Sequence, residues 1–140
     1  MSFSEQGRND VVLYRLEKAA KTMEEAKDNI PLGHWSLIAN RLYYAAYYAV
    51  SGLLIASGHR VKSHEGTVSQ FGLHFIKEGT LPLEMGRLYR QIFALRLTGD
   101  YEDNYNLVEE EVSPYIQPTE QLIEKVSELA KEKLQEPIQD

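Results

Sequence analysis

The chain contains no cysteine. That excludes disulfides, thiolate metal sites and a cysteine nucleophile, and it fits a reducing compartment. Histidine is scarce. His34, His59, His64 and His74 are the four present, no two are spaced i, i+4, and none is followed by the carboxylates a metal site would want. A Gly-rich phosphate loop and a nucleophile elbow are also missing, so the residues suggest neither a metal nor another cofactor. Long apolar runs are absent too. The longest mostly apolar stretch, Leu42 to Ile55, holds four tyrosines, a serine and a glycine and is too short to span a bilayer. Met1 to Asp10 lack the basic start and apolar run of a signal peptide. The expectation is a cytoplasmic protein with no membrane association.

A basic excess is lacking as well. The net charge is −6, against the usual sign for a general nucleic-acid binder. The average conceals a pattern. Between Arg41 and Arg96 seven basic residues face three acidic ones, a local net of +4. From Asp100 to Asp140 twelve acids meet three lysines, a net of −9. The middle third is where an anion would be welcome, unless the acidic tail folds back and neutralises it.

What remains is ordinary in size and patterned throughout. With 140 residues and an apolar share of 43%, the chain can enclose a core as a single domain over 1–140, ordered from about 9 to 134. Four helical stretches account for most of it. The first, from about Asn9 to Asp28, has Val12, Leu13, Leu16, Ala19, Ala20, Met23 and Ala26 at steps of three and four. It should stop before Pro31. The second runs from about His34 to Ala56 and ends at Ser57-Gly58, where glycine supplies a left-handed cap. Ile38, Leu42, Ala45, Ala49 and Leu53 make one apolar face and Leu37, Tyr44, Tyr48 and Ile55 another. A helix apolar on most sides is surrounded by others, so this one is central.

The third stretch is broken. Ser63 caps a short helix bearing Val68, Phe71, Phe75 and Ile76 that stops at Gly79. Pro82 opens a second piece with Met85, Leu88, Ile92 and Leu95 inward, and Leu97 to Tyr101 interrupts the pattern as a loop. The fourth begins near Asn106, with Asn106 and Glu109 spaced as a capping box, and Pro114 and Pro118 should kink it or divide it in two. No stretch alternates as a strand would. The fold class is an all-α, up-and-down bundle of four main helices, the third in two pieces.

Two constellations carry chemistry. Asn40-Arg41-Leu42-Tyr43-Tyr44-Ala45-Ala46-Tyr47-Tyr48 places two tyrosine ladders on the central helix, which structurally reads as core or oligomer interface with hydroxyls bonded at the rim. Arg96-Leu97-Thr98-Gly99-Asp100-Tyr101 ends a helix, and its structural reading is an arginine at its own helix C-terminus paired with Asp100.

Taken together, Asn40-Arg41-x-Tyr43-Tyr44-Ala45, Lys62-Ser63-His64-x-Gly66 and Arg96-x-x-x-Asp100-Tyr101 resemble a bacterial and archaeal branch of the HEPN family, over about residues 10 to 130. The resemblance implies a helical bundle that dimerises as a homodimer. It also implies RNA as a target, and a nucleotidyltransferase-type partner protein in a toxin–antitoxin pair. The family's nuclease motif is an arginine followed four to six residues later by histidine. Arg96 matches the arginine, but no histidine follows it, because His74 is the last. Asp100 and Tyr101 stand where the histidine would fall. Catalysis on this reading involves Arg96, Asp100 and Tyr101, while Arg60, Lys62, His64, Arg87 and Arg90 bind RNA, with Arg60, Lys62, Arg87, Arg90 and Arg96 largely on one face.

The missing histidine has a physical consequence. RNA cleavage without metal needs a base for the 2′-hydroxyl, an acid for the leaving 5′-oxygen and a cation on the phosphorane. Tyrosine titrates near about 10 and aspartate near about 3.9, both poorly matched to neutral pH. His59 or His64 would substitute if their loop lay beside Arg96; otherwise the ribonuclease should be weak or inactive. The alternative function is an interaction module that binds the nucleotidyltransferase and is modified by it, with Tyr101 and Tyr105 the nearby hydroxyls.

Overall fold

The computed structural model describes residues 4–101 and 106–136. These residues form helices and turns, with no strand among them. Helix α1 spans Glu5–Asp28, α2 Trp35–Ala56 and α3 His64–Phe71, which runs into a π turn at Gly72–Ile76. Helix α4 spans Leu83–Tyr101, α5 Glu109–Val112 and α6 Ile116–Lys133, with a 3-10 turn at Ser113–Tyr115 between the last two. The long helices α1, α2, α4 and α6 make an up-and-down bundle, and α3 with its π turn is the first piece of the broken third unit. No helix among the described residues is long and apolar enough to cross a membrane.

Helix α2 is the centre of the bundle. Ile38, Leu42, Ala45, Ala49 and Leu53 are fully buried, and so are Tyr43, Ala46, Val50 and Leu54 on its other sides. It packs on α1, α4 and α6. Small residues let α1 approach closely: a Cβ on Gly52 would stand 3.1 Å from Leu16 Cδ2. Gly58, at φ +87°, ends the helix as the left-handed cap expected of it.

Three boundaries differ from expectation. Helix α1 begins at Glu5, four residues before Asn9, because Ser4 accepts a hydrogen bond from the Gly7 N–H at 3.0 Å and caps it. Arg8, thereby made helical, is buried and donates to the carbonyls of Ala56, Leu134 and Glu136, serving the open ends of α2 and α6. Leu13, expected on the inner stripe, is exposed.

At the other end, Leu97 to Tyr101 is the last turn of α4 and not a loop. Arg96 and Asp100, one turn apart, are paired there, and Gly99 allows Leu107 to pack so closely that a Cβ would meet its Cδ1 at 2.8 Å. In place of the capping box expected at Asn106 and Glu109, only half of one is present, two residues later: the Glu111 carboxylate accepts from the Val108 N–H at 3.1 Å. The division near Pro114 and Pro118 is present, as the 3-10 turn between α5 and α6.

Candidate functional site

The site begins with Arg96, whose side chain lies between α4 and α2 with 8% of the residue exposed. A charge so enclosed needs partners. Its Nε donates to Asp100 Oδ2 at 3.0 Å, and its Nη2 donates to the Tyr44 hydroxyl at 3.0 Å. The guanidinium also stands 5.3 Å from the Tyr43 ring centre and 5.2 Å from that of Tyr44, within cation–π range.

Asp100 is shared. The same Oδ2 accepts from Asn40 Nδ2 at 2.9 Å, and Asn40 Oδ1 accepts from Arg41 Nε and Nη2 at 3.0 and 2.7 Å. Arg41 lies 5.4 Å from the Tyr44 ring and reaches Glu25 of α1 at 3.2 Å. A relay of alternating donors and acceptors thus joins α4, α2 and α1. The i, i+4 spacing of Arg96 and Asp100 creates one junction, and Asn40 on the second turn of α2 creates the next.

The third motif arrives from α3. Ser63 accepts from the Gly66 N–H at 2.9 Å and sets the start of that helix. A Cβ on Gly66 would lie 2.8 Å from Ser63 Oγ, so a larger residue there would displace the capping hydroxyl. His64, the first residue of the helix, is thereby held against the tyrosines. Its Nδ1 is 2.6 Å from the Tyr43 hydroxyl, and its ring stacks on Tyr47 at 4.5 Å between centres. The Tyr44 ring meets it edge-on at 5.6 Å. Burial lowers the His64 pKa below its ordinary value, and the positive charge of Arg96 lowers it further while Glu65 opposes. Burial drives Tyr43 far above the usual phenol range despite Arg96, so the phenol keeps its proton. Beneath it lie Phe93 and the fully buried Tyr89.

Three motifs separated in sequence by twenty to sixty residues therefore meet around Tyr43 and Tyr44. The tyrosine ladder belongs to the core, as its pattern suggests, and also carries hydroxyls that bind Arg96 and His64. Of the two histidines expected as substitutes, His64 reaches the Arg96 group. His59 instead stacks on His74, ring centres 3.8 Å apart, beside a cavity lined by Arg8, Thr80 and Lys133.

Arg87 and Arg90 stand apart from Arg96, so the basic residues of the middle third do not all share one face. Arg87 precedes Arg96 by nine residues, half a revolution around α4. Arg87 and Arg90 border a groove of about 450 Å³ floored by Val68, Phe71 and Ile76, and Arg96 does not line it. Arg60 and Lys62 are exposed on the segment leading into α3, close in sequence to His64. The side chain of Tyr101, and Tyr105, lie outside the described residues. No group of three or more His, Asp or Glu among the described residues could hold a metal ion.

What sequence reasoning missed is the Tyr43–His64 bond and the Tyr44–Arg96 bond. Neither pair has a local spacing, being 21 and 52 residues apart. The signal available was the joint presence of the three motifs.

Fold and site together define a helical bundle with an arginine- and histidine-bearing polar centre built on its central helix. The family follows from comparison with known proteins: residues 12–131 match the HEPN domain model, and the chain belongs to the HEPN family. A "UPF0332 protein" of Thermotoga maritima is 30% identical over 122 residues, covering 87% of this chain and 92% of that one. "Putative toxin MJ0142" and "Putative toxin MJ0605" of Methanocaldococcus jannaschii are 28% and 31% identical. The first alignment covers 69% of this chain and 65% of that protein, the second 66% and 68%. Among solved structures, TT1696 from Thermus thermophilus superposes with a TM-score of 0.67 at 17% identity, over 87% of this chain and 97% of that one. That likeness is one of fold.

Proposed function

We propose that this protein is the toxin component of a toxin–antitoxin pair, that it acts on RNA, and that Arg96 is its phosphate-binding group. The observation that carries the reading is Arg96 itself. It is a nearly buried guanidinium at the end of α4, tied to Asp100 and Tyr44 in a place where a merely structural residue would ordinarily be apolar. Asp100 occupies the guanidinium as an internal anion. A phosphate exchanging with that carboxylate would gain a fixed, weakly hydrated cation, and Asn40 would keep Asp100 hydrogen-bonded as it yields.

Family membership and the two relatives named as toxins support the toxin role. The partner is a nucleotidyltransferase-type protein, on the family's pattern. A two-fold homodimer fits the surface around the site, where Leu37, Leu97 and Val108 are exposed apolar neighbours in sequence of Asn40, Arg96 and Leu107.

The test is growth. Expression of the chain alone should arrest its host, and Arg96→Ala, produced at an equal soluble level, should relieve the arrest. Arrest that persists in Arg96→Ala removes Arg96 from the account. No arrest by the wild type favours the alternative, an interaction module whose function is to bind the partner.

A further inference from the structure

We infer that His64 is the proton-transfer residue of this site, supplied by α3 in place of the histidine that α4 lacks; the inference rests on the RNA-directed reading above. The geometry has the parts such a residue needs. One ring nitrogen, Nδ1, is fixed by the Tyr43 hydroxyl at 2.6 Å. The ring is clamped by stacking on Tyr47 and by the edge of Tyr44. Nε2 has no hydrogen-bond partner among the described residues, and the side chain is half-buried, so that nitrogen is the one available to a substrate. Arg96 and His64 flank the same two tyrosine rings, which sets a cation and a base against one aromatic pair.

The groups facing the imidazole are few. Helix α2 presents Tyr43, Tyr44 and Tyr47, α4 presents Arg96, and Glu65 follows on α3 itself. Burial, and after it Arg96, outweigh Glu65, so the ring is neutral at pH 7, the state a general base requires.

Tyr43 acts as a positioning residue. A hydroxyl both donates and accepts. With Nδ1–H donating to the phenol oxygen, Nε2 carries the lone pair and takes the proton from a ribose 2′-hydroxyl. The 2′-oxygen then bonds to phosphorus as the bond from phosphorus to the 5′-oxygen breaks. The imidazolium returns its proton through Nε2 to the departing 5′-oxygen. The products are a 2′,3′-cyclic phosphate and a 5′-hydroxyl, with no water, metal or oxidant consumed. Arg96 offsets the charge gathered on the phosphorane oxygens. An absent histidine after Arg96 implied weak or no cleavage; a histidine brought in by α3 removes that objection.

The experiment uses the full chain and a short end-labelled single-stranded RNA, with a chelator present throughout. Binding is followed by fluorescence anisotropy in parallel, and each variant's helicity is checked by circular dichroism. His64→Asn should still bind RNA and cleave it about a hundredfold more slowly or worse, the usual scale of a lost acid–base group. His64→Gly should regain part of its rate when free imidazole is added, which a structural histidine would not do. Tyr43→Phe should cleave more slowly than wild type but faster than His64→Asn. Cleavage by His64→Asn at the wild-type rate overturns the assignment and leaves the RNA-directed reading intact. Binding without cleavage in the wild type likewise overturns the assignment alone. Neither binding nor cleavage in the wild type overturns both.

Discussion

The Tyr43 hydroxyl and His64 Nδ1, from helices joined only by a seven-residue segment, lie 2.6 Å apart with Arg96 over the same tyrosine ring. The arrangement makes a measurable demand on His64. Its pKa should lie below about 6.5, and Arg96→Gln should raise it, because removing a positive neighbour favours the imidazolium. Ring-proton chemical shifts followed by NMR through pH 5 to 8 would show the change. An unchanged His64 titration in the variant would separate the two residues.

Stability follows from the same shifts. His59 is depressed as His64 is, by burial and then by His74. The folded chain therefore holds these protons less tightly than the unfolded chain does. Stability from this source is complete above the unfolded pKa near about 6.5 and is lost as pH falls through the lower folded values. The melting temperature should drop between pH 7.5 and pH 5.5, and His59→Asn should lessen the drop. A melting temperature that rises on acidification would contradict the sign.

The centre of the fold depends on a close helix pair. Gly52→Leu would drive a branched side chain into Leu16, already 3.1 Å from a bare Cβ position, and should cost about 1–3 kcal/mol. Chemical denaturation of the two proteins gives the difference. A variant as stable as the wild type would mean that α1 moves aside freely.

The dimer is decided by mass in solution. Wild type should run at twice the chain's 16.1 kDa in light scattering, and Leu97→Glu should run as a monomer, since a charge on an exposed apolar residue beside Arg96 opposes burial. A monomeric wild type removes the two-fold arrangement.

Most of the fold was legible because periodicity reports burial directly. The all-round apolar pattern of α2 identified the central helix, and Ser63, Gly58 and Gly79 marked real caps and turns. Errors arose where a tertiary contact overrode local signals. Leu97 to Tyr101 looked like a loop because glycine and aspartate weaken a helix. It stays helical because Asp100 holds Arg96 and Asn40 and because Gly99 admits Leu107. Arg96 as the site's anchor was legible from its motif, and its pairing with Asp100 from their spacing. That His64 and not His59 joins it was not, since both follow α2 within eight residues and only the docking of α3 on Tyr43 and Tyr47 separates them.

The claim on which the account turns is that RNA meets the Arg96 site. Anisotropy of a labelled short single-stranded RNA, titrated with wild type, Arg96→Gln and Arg87→Glu at two salt concentrations, tests it most directly. Arg96→Gln should weaken binding at both salts, and Arg87→Glu, half a turn around α4, should leave it nearly unchanged. Wild-type affinity should also fall with salt, with a logarithmic slope of about 0.7 per phosphate neutralised. Binding that survives Arg96→Gln and collapses in Arg87→Glu would place the RNA in the groove on the other side of the helix and contradict the account.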